Sequence, residues 1–187
     1  GANDYGDTYV EVNLTAQHLF FYKDGKLLVE SDFVSGNAAR GWSTPSGAYP
    51  LTYKERNATL NGEGYSTPVS YWMPFNGGIG LHDASWRSSF GGTIYKTNGS
   101  HGCINLPPSV AKTIYENISK GDPVLCYELA GTEQTTTTNA GGKPVQTQPA
   151  QTQPAETQPA QTQPAETQPA QTQPAQTQPA QTQPAQT

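Results

Sequence analysis

The residues most able to do chemistry are two of the three histidines and one of the two cysteines, which fall close together in the sequence. The segment 100–105 reads Ser-His-Gly-Cys-Ile-Asn, and His82 lies upstream of it. A thiolate is the reactive form of cysteine, and a neighbouring imidazolium stabilises it. Gly102 would let the backbone turn tightly and present amide N–H groups to a developing oxyanion. The pattern predicts Cys103 as a nucleophile, with His82 or His101 as its base.

The same residues allow other interpretations. His82, His101 and Cys103 could bind zinc, although a fourth ligand and the paired spacing of structural zinc sites are missing. Cys103 could be a buried thiol beside a turn. Cys126 lies in an apolar segment without a nearby histidine, which indicates an inert buried thiol. A disulfide between the two cysteines remains open at this stage and would block thiolate chemistry.

Composition divides the chain into a foldable part and a tail. Residues 1–131 hold nearly all aromatic and aliphatic side chains, whereas residues 132–187 contain no Phe, Trp, Tyr, Leu, Ile or Met. A segment of about 130 residues can bury a core without disulfide bonds. We therefore expect one domain over 1–131, which would carry the reactive residues, and a tail over 132–187.

Charge and hydropathy exclude two classes of function. The formal net charge of −5 argues against a nucleic-acid-binding protein, because nucleic acids select basic surfaces. No apolar run is long enough to cross a membrane. The chain starts at Gly1 rather than Met, so the lack of a signal peptide says nothing about export.

Alternating apolar and polar residues predict a mainly β domain around the reactive residues. A strand is expected over 8–14, and a hairpin over 18–29 with Asp24-Gly25 at its turn. Residues 57–68 read as a loop, residues 69–75 as an aromatic strand, and residues 76–82 as a turn and short strand ending on His82. One helix is predicted over 109–119, followed by a closing strand over 122–129.

The tail is built from a five-residue repeat. Gln-Thr-Gln-Pro-Ala begins at Gln146 and recurs to the end, with Glu156 and Glu166 replacing the leading Gln. Such a segment cannot bury enough apolar area to offset the entropy of ordering, and its regular prolines prevent a helix. We expect a disordered, extended linker without a binding role.

Several segments together resemble a known family. Ile-Gly-Leu-His-Asp at 79–83 and Ser-His-Gly-Cys-Ile-Asn-Leu-Pro at 100–107 resemble the signature of the L,D-transpeptidase catalytic domain, the YkuD family. Trp86 and the Gly91-Gly92 pair resemble its Gram-positive members, and Thr-Pro-Ser-Gly-Ala-Tyr at 44–49 resembles an upstream family segment. The resemblance covers about residues 8–129. The repeat tail is not a family feature.

The resemblance implies a fold and a reaction. The fold would be a β-sandwich with one short helix after the catalytic motif. The reaction would cleave a peptidoglycan stem tetrapeptide between its third residue and D-Ala. Cys103 would form a thioester and release D-Ala, and an amine on a neighbouring stem would take the acyl group in a 3→3 cross-link.

The family pattern also implies roles for individual residues. His82 would be the base, oriented by a backbone carbonyl next to it, expected to be that of Asp83. His101 and Asn105 would shape the loop, and the amides of Gly102 and Cys103 would form the oxyanion hole. The candidates for contacts with the substrate are Ser100, Asn105, Tyr71, Trp72 and Trp86, the three aromatic residues as groove walls.

The implied partners are peptidoglycan stem peptides, with carbapenem-type β-lactams as acylating inhibitors, and the implied place is the extracellular cell wall. No cofactor and no metal are implied. Two other readings stay open: a cell-wall cysteine peptidase or L,D-carboxypeptidase that uses water as the acceptor, and a non-catalytic wall-binding module.

Overall fold

The computed structural model describes residues 5–139, and these residues form mostly β-strands. The strands form because apolar and polar residues alternate in the sequence, so that each strand can bury one apolar face. The repeat tail falls outside the described residues. The elements in chain order are β1 (Tyr9–Asn13), β2 (His18–Lys23), β3 (Lys26–Asp32), a 3₁₀ turn (Ala38–Arg40), β4 (Gly47–Pro50), β5 (Glu55–Gly62), β6 (Tyr65–Asn76), β7 (Ile79–Asp83), β8 (Ser89–Gly91), α1 (Ile94–Asn98), β9 (Ile104–Leu106), α2 (Pro108–Asn117), β10 (Pro123–Tyr127) and β11 (Thr137–Asn139).

The first sheet has five strands in the order β3-β2-β1-β10-β4. The predicted hairpin joins β2 to β3, and Asp24 and Gly25 at its turn both have positive φ (50° and 74°). Asp and Gly tolerate that left-handed conformation better than most residues. β1 pairs with β10 in parallel, which brings the two ends of the domain together.

The second sheet, β5-β6-β7-β9, carries the reactive residues. The prediction of a loop over 57–68 is wrong, because β5 and β6 form a long antiparallel hairpin there. Gly64, with φ of 77°, lies at its turn. Pro68 is tolerated because β7 pairs only with the stretch from Trp72 to Asn76, so β6 has a partner on one side at Pro68.

The core contains side chains from both sheets and from α2. Val12 of β1, Met73 of β6, Leu81 of β7 and Ile114 of α2 all belong to one buried cluster. α2 is the predicted helix, and it begins with Pro108 in its first turn, where proline's missing N–H costs nothing. The predicted mainly β sandwich with one short helix after the reactive motif is therefore confirmed, and the five-residue α1 was not anticipated.

The domain boundary expected at residue 131 falls short of the observed structure. β11 (Thr137–Asn139) pairs antiparallel with β8, and Asn13 Nδ2 donates to Thr132 Oγ1 at 3.1 Å. Residues 132–139 lack large apolar side chains, but strand pairing needs only backbone groups and tolerant residues such as threonine. Within residues 5–139, no helix is long and apolar enough to span a bilayer.

Candidate active site

His82 lies on β7 and is buried, with 4% of its surface exposed. Its Nδ1 lies 2.8 Å from the carbonyl oxygen of Asp83. A carbonyl can only accept, so the proton of the neutral ring sits on Nδ1 and Nε2 is left as the acceptor. The carbonyl expected to orient His82 is thus in hydrogen-bonding position.

The carboxylate of Asp83 has a structural use. Its Oδ1 accepts from the amide of Tyr71 at 2.8 Å and its Oδ2 from the amide of Ser70 at 3.1 Å. Both amides belong to β6, beyond the last pair that β6 makes with β7 at Trp72 and His82. The side chain therefore caps the ladder and holds the backbone that carries His82.

Cys103 immediately precedes β9, which pairs in parallel with β7 so that Asn105 lies opposite His82. Its thiol is free and half-buried, packed against a cluster that includes Trp72 and Val69. Sγ donates to the carbonyl of Gly78 at 3.5 Å. In the resting arrangement the thiol proton therefore points to a backbone oxygen of the turn before β7.

The loop that presents Cys103 is held by hydroxyl groups. Ser100 Oγ donates to the Cys103 carbonyl at 2.6 Å and accepts from the Gly102 amide at 3.0 Å. Thr44 Oγ1 donates to the Gly102 carbonyl at 2.6 Å and accepts from the Gly36 amide at 3.1 Å. The expected oxyanion role of the Gly102 amide does not fit this arrangement, because that amide already donates to Ser100. The Ser100 hydroxyl, expected to contact the substrate, likewise makes its hydrogen bonds within the loop.

The His101 ring is held in an aromatic stack. Its ring lies between Trp42, with centroids 4.2 Å apart, and Tyr65, at 4.5 Å, both nearly parallel to it. Arg40 lies over the other side of Trp42 at 5.1 Å. The stack joins the loop after the 3₁₀ turn, the start of β6 and the segment before Cys103.

Asn105 is buried and lies between His82 and Arg87. In the amide orientation that satisfies both neighbours, Nδ2 donates to His82 Nε2 at 3.1 Å, and Oδ1 accepts from Arg87 Nε at 2.8 Å and Nη2 at 3.2 Å. Its backbone also exchanges hydrogen bonds with Val34. Asn105 therefore contacts the candidate base itself rather than only shaping the loop.

The three aromatic residues expected as groove walls separate into two groups. The rings of Trp72 and Trp86 each lie 5.9 Å from the His82 ring. Trp72 is buried and donates through Nε1 to Tyr53 Oη at 3.2 Å, whereas Trp86 is 51% exposed. Tyr71 points to the other face of β6, where it packs against Tyr115 of α2, and is not brought to the site.

Electrostatics keep both reacting groups neutral at rest. Burial lowers the pKa of His82, and Arg87 lowers it further, against the opposing effect of the Asp83 carbonyl and carboxylate. Burial also raises the pKa of Cys103, against a backbone hydrogen bond from Gly80. Both shifts disfavour a preformed thiolate–imidazolium pair.

The remaining interpretations of the cysteines and histidines fit less well. Both cysteines are free, so the disulfide left open by the sequence is not formed. Burial raises the pKa of Cys126 to about 12, which makes that thiol unreactive. Within residues 5–139, no group of three or more His, Cys, Asp or Glu side chains is arranged to hold a metal ion.

Several residues at the site escaped the sequence analysis. Arg87 touches Asn105, Trp42 and Tyr65 enclose His101, and Gly78 holds the thiol. All act across long sequence separations, so no local pattern marks them. Thr44 alone had a signal, since it begins the upstream segment that resembles the family.

Comparison with known proteins identifies the family of this domain. The family model for the L,D-transpeptidase catalytic domain (YkuD) matches residues 7–126, well over half of the chain. The chain belongs to this family. The matched range includes His82 and Cys103 and ends at Cys126 in β10.

Solved L,D-transpeptidases share the fold. The crystal structure of a cysteine-to-serine mutant of the Enterococcus faecium L,D-transpeptidase is 47% identical, covers 65% of this chain and 50% of that one, and has a TM-score of 0.62. The NMR structure of the E. faecium catalytic domain acylated by ertapenem is 48% identical, with 65% and 97% of the two chains covered and a TM-score of 0.59.

A curated relative is L,D-transpeptidase 2 of Mycobacterium tuberculosis, 28% identical over 109 residues, which are 58% of this chain and 25% of the relative. L,D-transpeptidase 1 of the same species is 28% identical over 131 residues, covering 64% of this chain and 50% of the relative. The chain thus spans a quarter to a half of the length of these two relatives.

Proposed function

We propose that this domain is a peptidoglycan L,D-transpeptidase that forms 3→3 cross-links through a thioester on Cys103. The observation that carries the proposal is the pairing of β7 with β9. It brings the segment that starts with the free thiol of Cys103 alongside the strand of His82, a buried imidazole whose Nδ1 is held by a carbonyl. Cysteine acyl transfer needs this set of nucleophile, base and orienting group. No cofactor takes part.

The first half-reaction is acylation. Cys103 Sγ attacks the carbonyl between the third stem residue and D-Ala while His82 Nε2 takes the thiol proton. The S–H must first leave the Gly78 carbonyl, and the Asn105 amide must release Nε2. When the C–N bond breaks, His82 gives the proton to the departing amine of D-Ala, and the thioester remains.

The second half-reaction returns the enzyme to its starting state. An amine on a neighbouring stem attacks the thioester carbonyl, His82 accepts the amine proton, and the C–S bond breaks. The thiolate then takes that proton back. The amide of Cys103, which donates to no backbone carbonyl within residues 5–139, is the donor available to the oxyanion in both steps.

The site supports two further parts of the proposal. Trp86 is exposed and lies near His82, which supports a role as a wall for the stem peptide. Acting on peptidoglycan, the enzyme would work in the extracellular cell wall. Carbapenem-type β-lactams should acylate Cys103, since the related E. faecium domain has been solved acylated by ertapenem.

Mass spectrometry tests the proposal directly. The protein incubated with a stem tetrapeptide should gain the mass of the tripeptide acyl group on Cys103 and release D-Ala. Adding an acceptor amine should give the cross-linked product. Release of free tripeptide only, with or without the amine, would make the enzyme a carboxypeptidase that uses water. No adduct at all would favour a wall-binding module.

The nucleophile has its own prediction. Cys103→Ala should abolish the adduct formed by a carbapenem while leaving the melting temperature within a few degrees, because the thiol is only half-buried. An adduct on Cys126, or on the Cys103→Ala variant, would contradict the assignment.

A further inference from the structure

We propose that Arg87 is a positioning residue that acts through Asn105 to hold His82 in its neutral form, with Nε2 as an acceptor. The inference deepens the proposed function and rests on it in one respect, that His82 is the base. Three side chains are linked by the hydrogen bonds described above: the guanidinium of Arg87, the amide of Asn105 and the imidazole of His82.

The donors and acceptors in these hydrogen bonds follow from the chemistry of Arg87. A guanidinium has five N–H donors and no acceptor, and it stays charged in proteins. Arg87 presents both Nε and Nη2 to Asn105, so only the amide oxygen can face it. The amide nitrogen is then forced toward His82, where it donates to Nε2. An asparagine alone could adopt either orientation.

Arg87 is itself held in place. Its Nη1 donates to the carbonyl of Asn98, the last residue of α1, at 2.9 Å. Its side chain is half-buried on one wall of an open depression of about 320 Å³, which also includes Trp86 and Asn98. The side chain is therefore a fixed fork rather than a mobile surface charge.

The arrangement penalises the protonated form of His82. Once Nε2 carries a proton, it faces the N–H of Asn105 instead of accepting from it. Turning the amide around would place Nδ2 against the Arg87 donors. The imidazolium is therefore short-lived and gives its proton readily to a departing amine. The positive charge of Arg87 acts in the same direction, as does burial.

The other groups facing His82 do not provide this effect. Asp83 on β7 favours the imidazolium, although its carboxylate is engaged by two amides of β6. Trp72 from β6 and Trp86 from the loop after β7 do not titrate. Cys103, ahead of β9, is held neutral by burial. Arg87 therefore differs from these groups in two ways: it is positively charged, and it fixes the orientation of the Asn105 side-chain amide.

The test is the tautomer and pKa of His82 in the full chain labelled with ¹⁵N-histidine. In the wild type we expect the Nδ1–H tautomer and a lowered pKa, so that the ring is neutral at pH 7. In Arg87→Met the pKa of His82 should rise by about one pH unit, a tenfold change in proton affinity. The acid limb of the carbapenem acylation rate should move up by a similar amount.

Two further variants separate positioning from charge and from packing. Arg87→Lys keeps the charge but loses the planar fork, so it should show a rise that is smaller than in Arg87→Met by the contribution of the charge. Arg56→Met is the matched control, since Arg56 lies over Tyr71 at 4.5 Å, away from the site, and it should change nothing. Should Arg87→Met fail to fold in thermal melts, Arg87→Lys decides.

The inference is overturned if His82 is unchanged in Arg87→Met, if Arg87→Lys behaves like the wild type, or if Arg56→Met gives the same rise. The spectra need no substrate, so they are independent of the proposed function. A normal adduct on Cys103 with an unchanged His82 refutes only the role of Arg87. A missing adduct in the wild type refutes the function and leaves the tautomer result intact.

Discussion

The surroundings of Cys103 and His82 favour a proton on sulfur in the resting site. Burial disfavours the thiolate of Cys103 and the imidazolium of His82 alike, and each group bonds to another neighbour, Gly78 or Asn105. In the proposed reaction, charge would develop only when a substrate carbonyl is present to receive the sulfur. A thiol of this kind is protected from casual alkylation and oxidation, which depend on the thiolate.

Alkylation by iodoacetamide should show this protection. Because the pKa of Cys103 is raised, its rate should keep increasing as the pH passes the ordinary cysteine value of about 8.5. Cys126, with a pKa of about 12, should not react in the native chain, so Cys103→Ser gives the background. A rate that is already level between about pH 6 and 8 would reveal a thiolate–imidazolium pair instead.

The two histidines should respond differently to removal. His82→Ala should lower the acylation rate by about two to four orders of magnitude, with partial recovery at high pH where the thiol ionises unaided. His101→Ala removes the middle of the stack with Trp42 and Tyr65, so its loss should lower the melting temperature and show no such recovery.

The measurement is a pH–rate profile of carbapenem acylation for both variants, with melts alongside. A pH-dependent recovery in His101→Ala with a nearly silent His82→Ala would reverse the two roles. Recovery in both would mean that the imidazoles titrate as a coupled pair.

At the scale of elements, the reactive loop depends on close backbone packing. Gly36 forms an isolated bridge with Ser100, and a Cβ at Gly36 would lie 1.8 Å from the carbonyl oxygen of Trp42 and 3.0 Å from Cα of Gly102. Both atoms are backbone and cannot turn aside. The position of Cys103 is thus tied to the loop after β3 as well as to β7.

Gly36→Ala should destabilise the domain by about 3 kcal/mol or more and reduce acylation, because overpacking against backbone forces a shift of the loop. Gly78→Ala is the matched control for stability, since a Cβ there meets nothing within 4 Å. Urea unfolding of both variants measures the difference. Equal stability of the two variants would mean that the loop adapts freely.

The sequence predicts elements where one local pattern controls them. The hairpin of β2 and β3 and the helix α2 follow from alternation, turn residues and helical spacing. The hairpin of β5 and β6 was missed because Gly62, Gly64 and Pro68 are residues typical of loops. How much each destabilises a strand depends on which sides of that strand are paired, which the sequence does not show. The contact between Arg87 and Asn105 was missed because it depends on where β9 and α1 come together.

At the scale of the whole molecule, the chain after residue 131 contributes to the folded domain. Thr132 bonds to Asn13, and β11 pairs with β8, next to the Trp86–Ser89 segment that borders the site. The expected linker therefore does not begin at residue 132. The prediction of a linker stays a prediction for the residues after 139.

Two truncations should separate these parts. Ending the chain after Asn139 should leave the melting temperature and acylation rate unchanged, because residues 140–187 have no large apolar side chains to dock. Ending it after Gly131 removes β11 and should lower the melting temperature by roughly 2–8 °C, the shift expected for about 1 kcal/mol. Identical melts for the two truncated chains would mean that β11 adds nothing.

The parallel pairing of β1 with β10 also governs when the domain can form during synthesis. A ribosome releases β1, β2 and β3 first, yet the place beside β1 stays empty until β10 has emerged, since Val10 pairs with Val124. Pairings between such distant segments are slow to form, because a long loop must close before they contribute. The nascent chain therefore cannot fold progressively from its first residue. The enzyme should gain its acylation activity in one late step, after the last strand of the first sheet has left the exit tunnel.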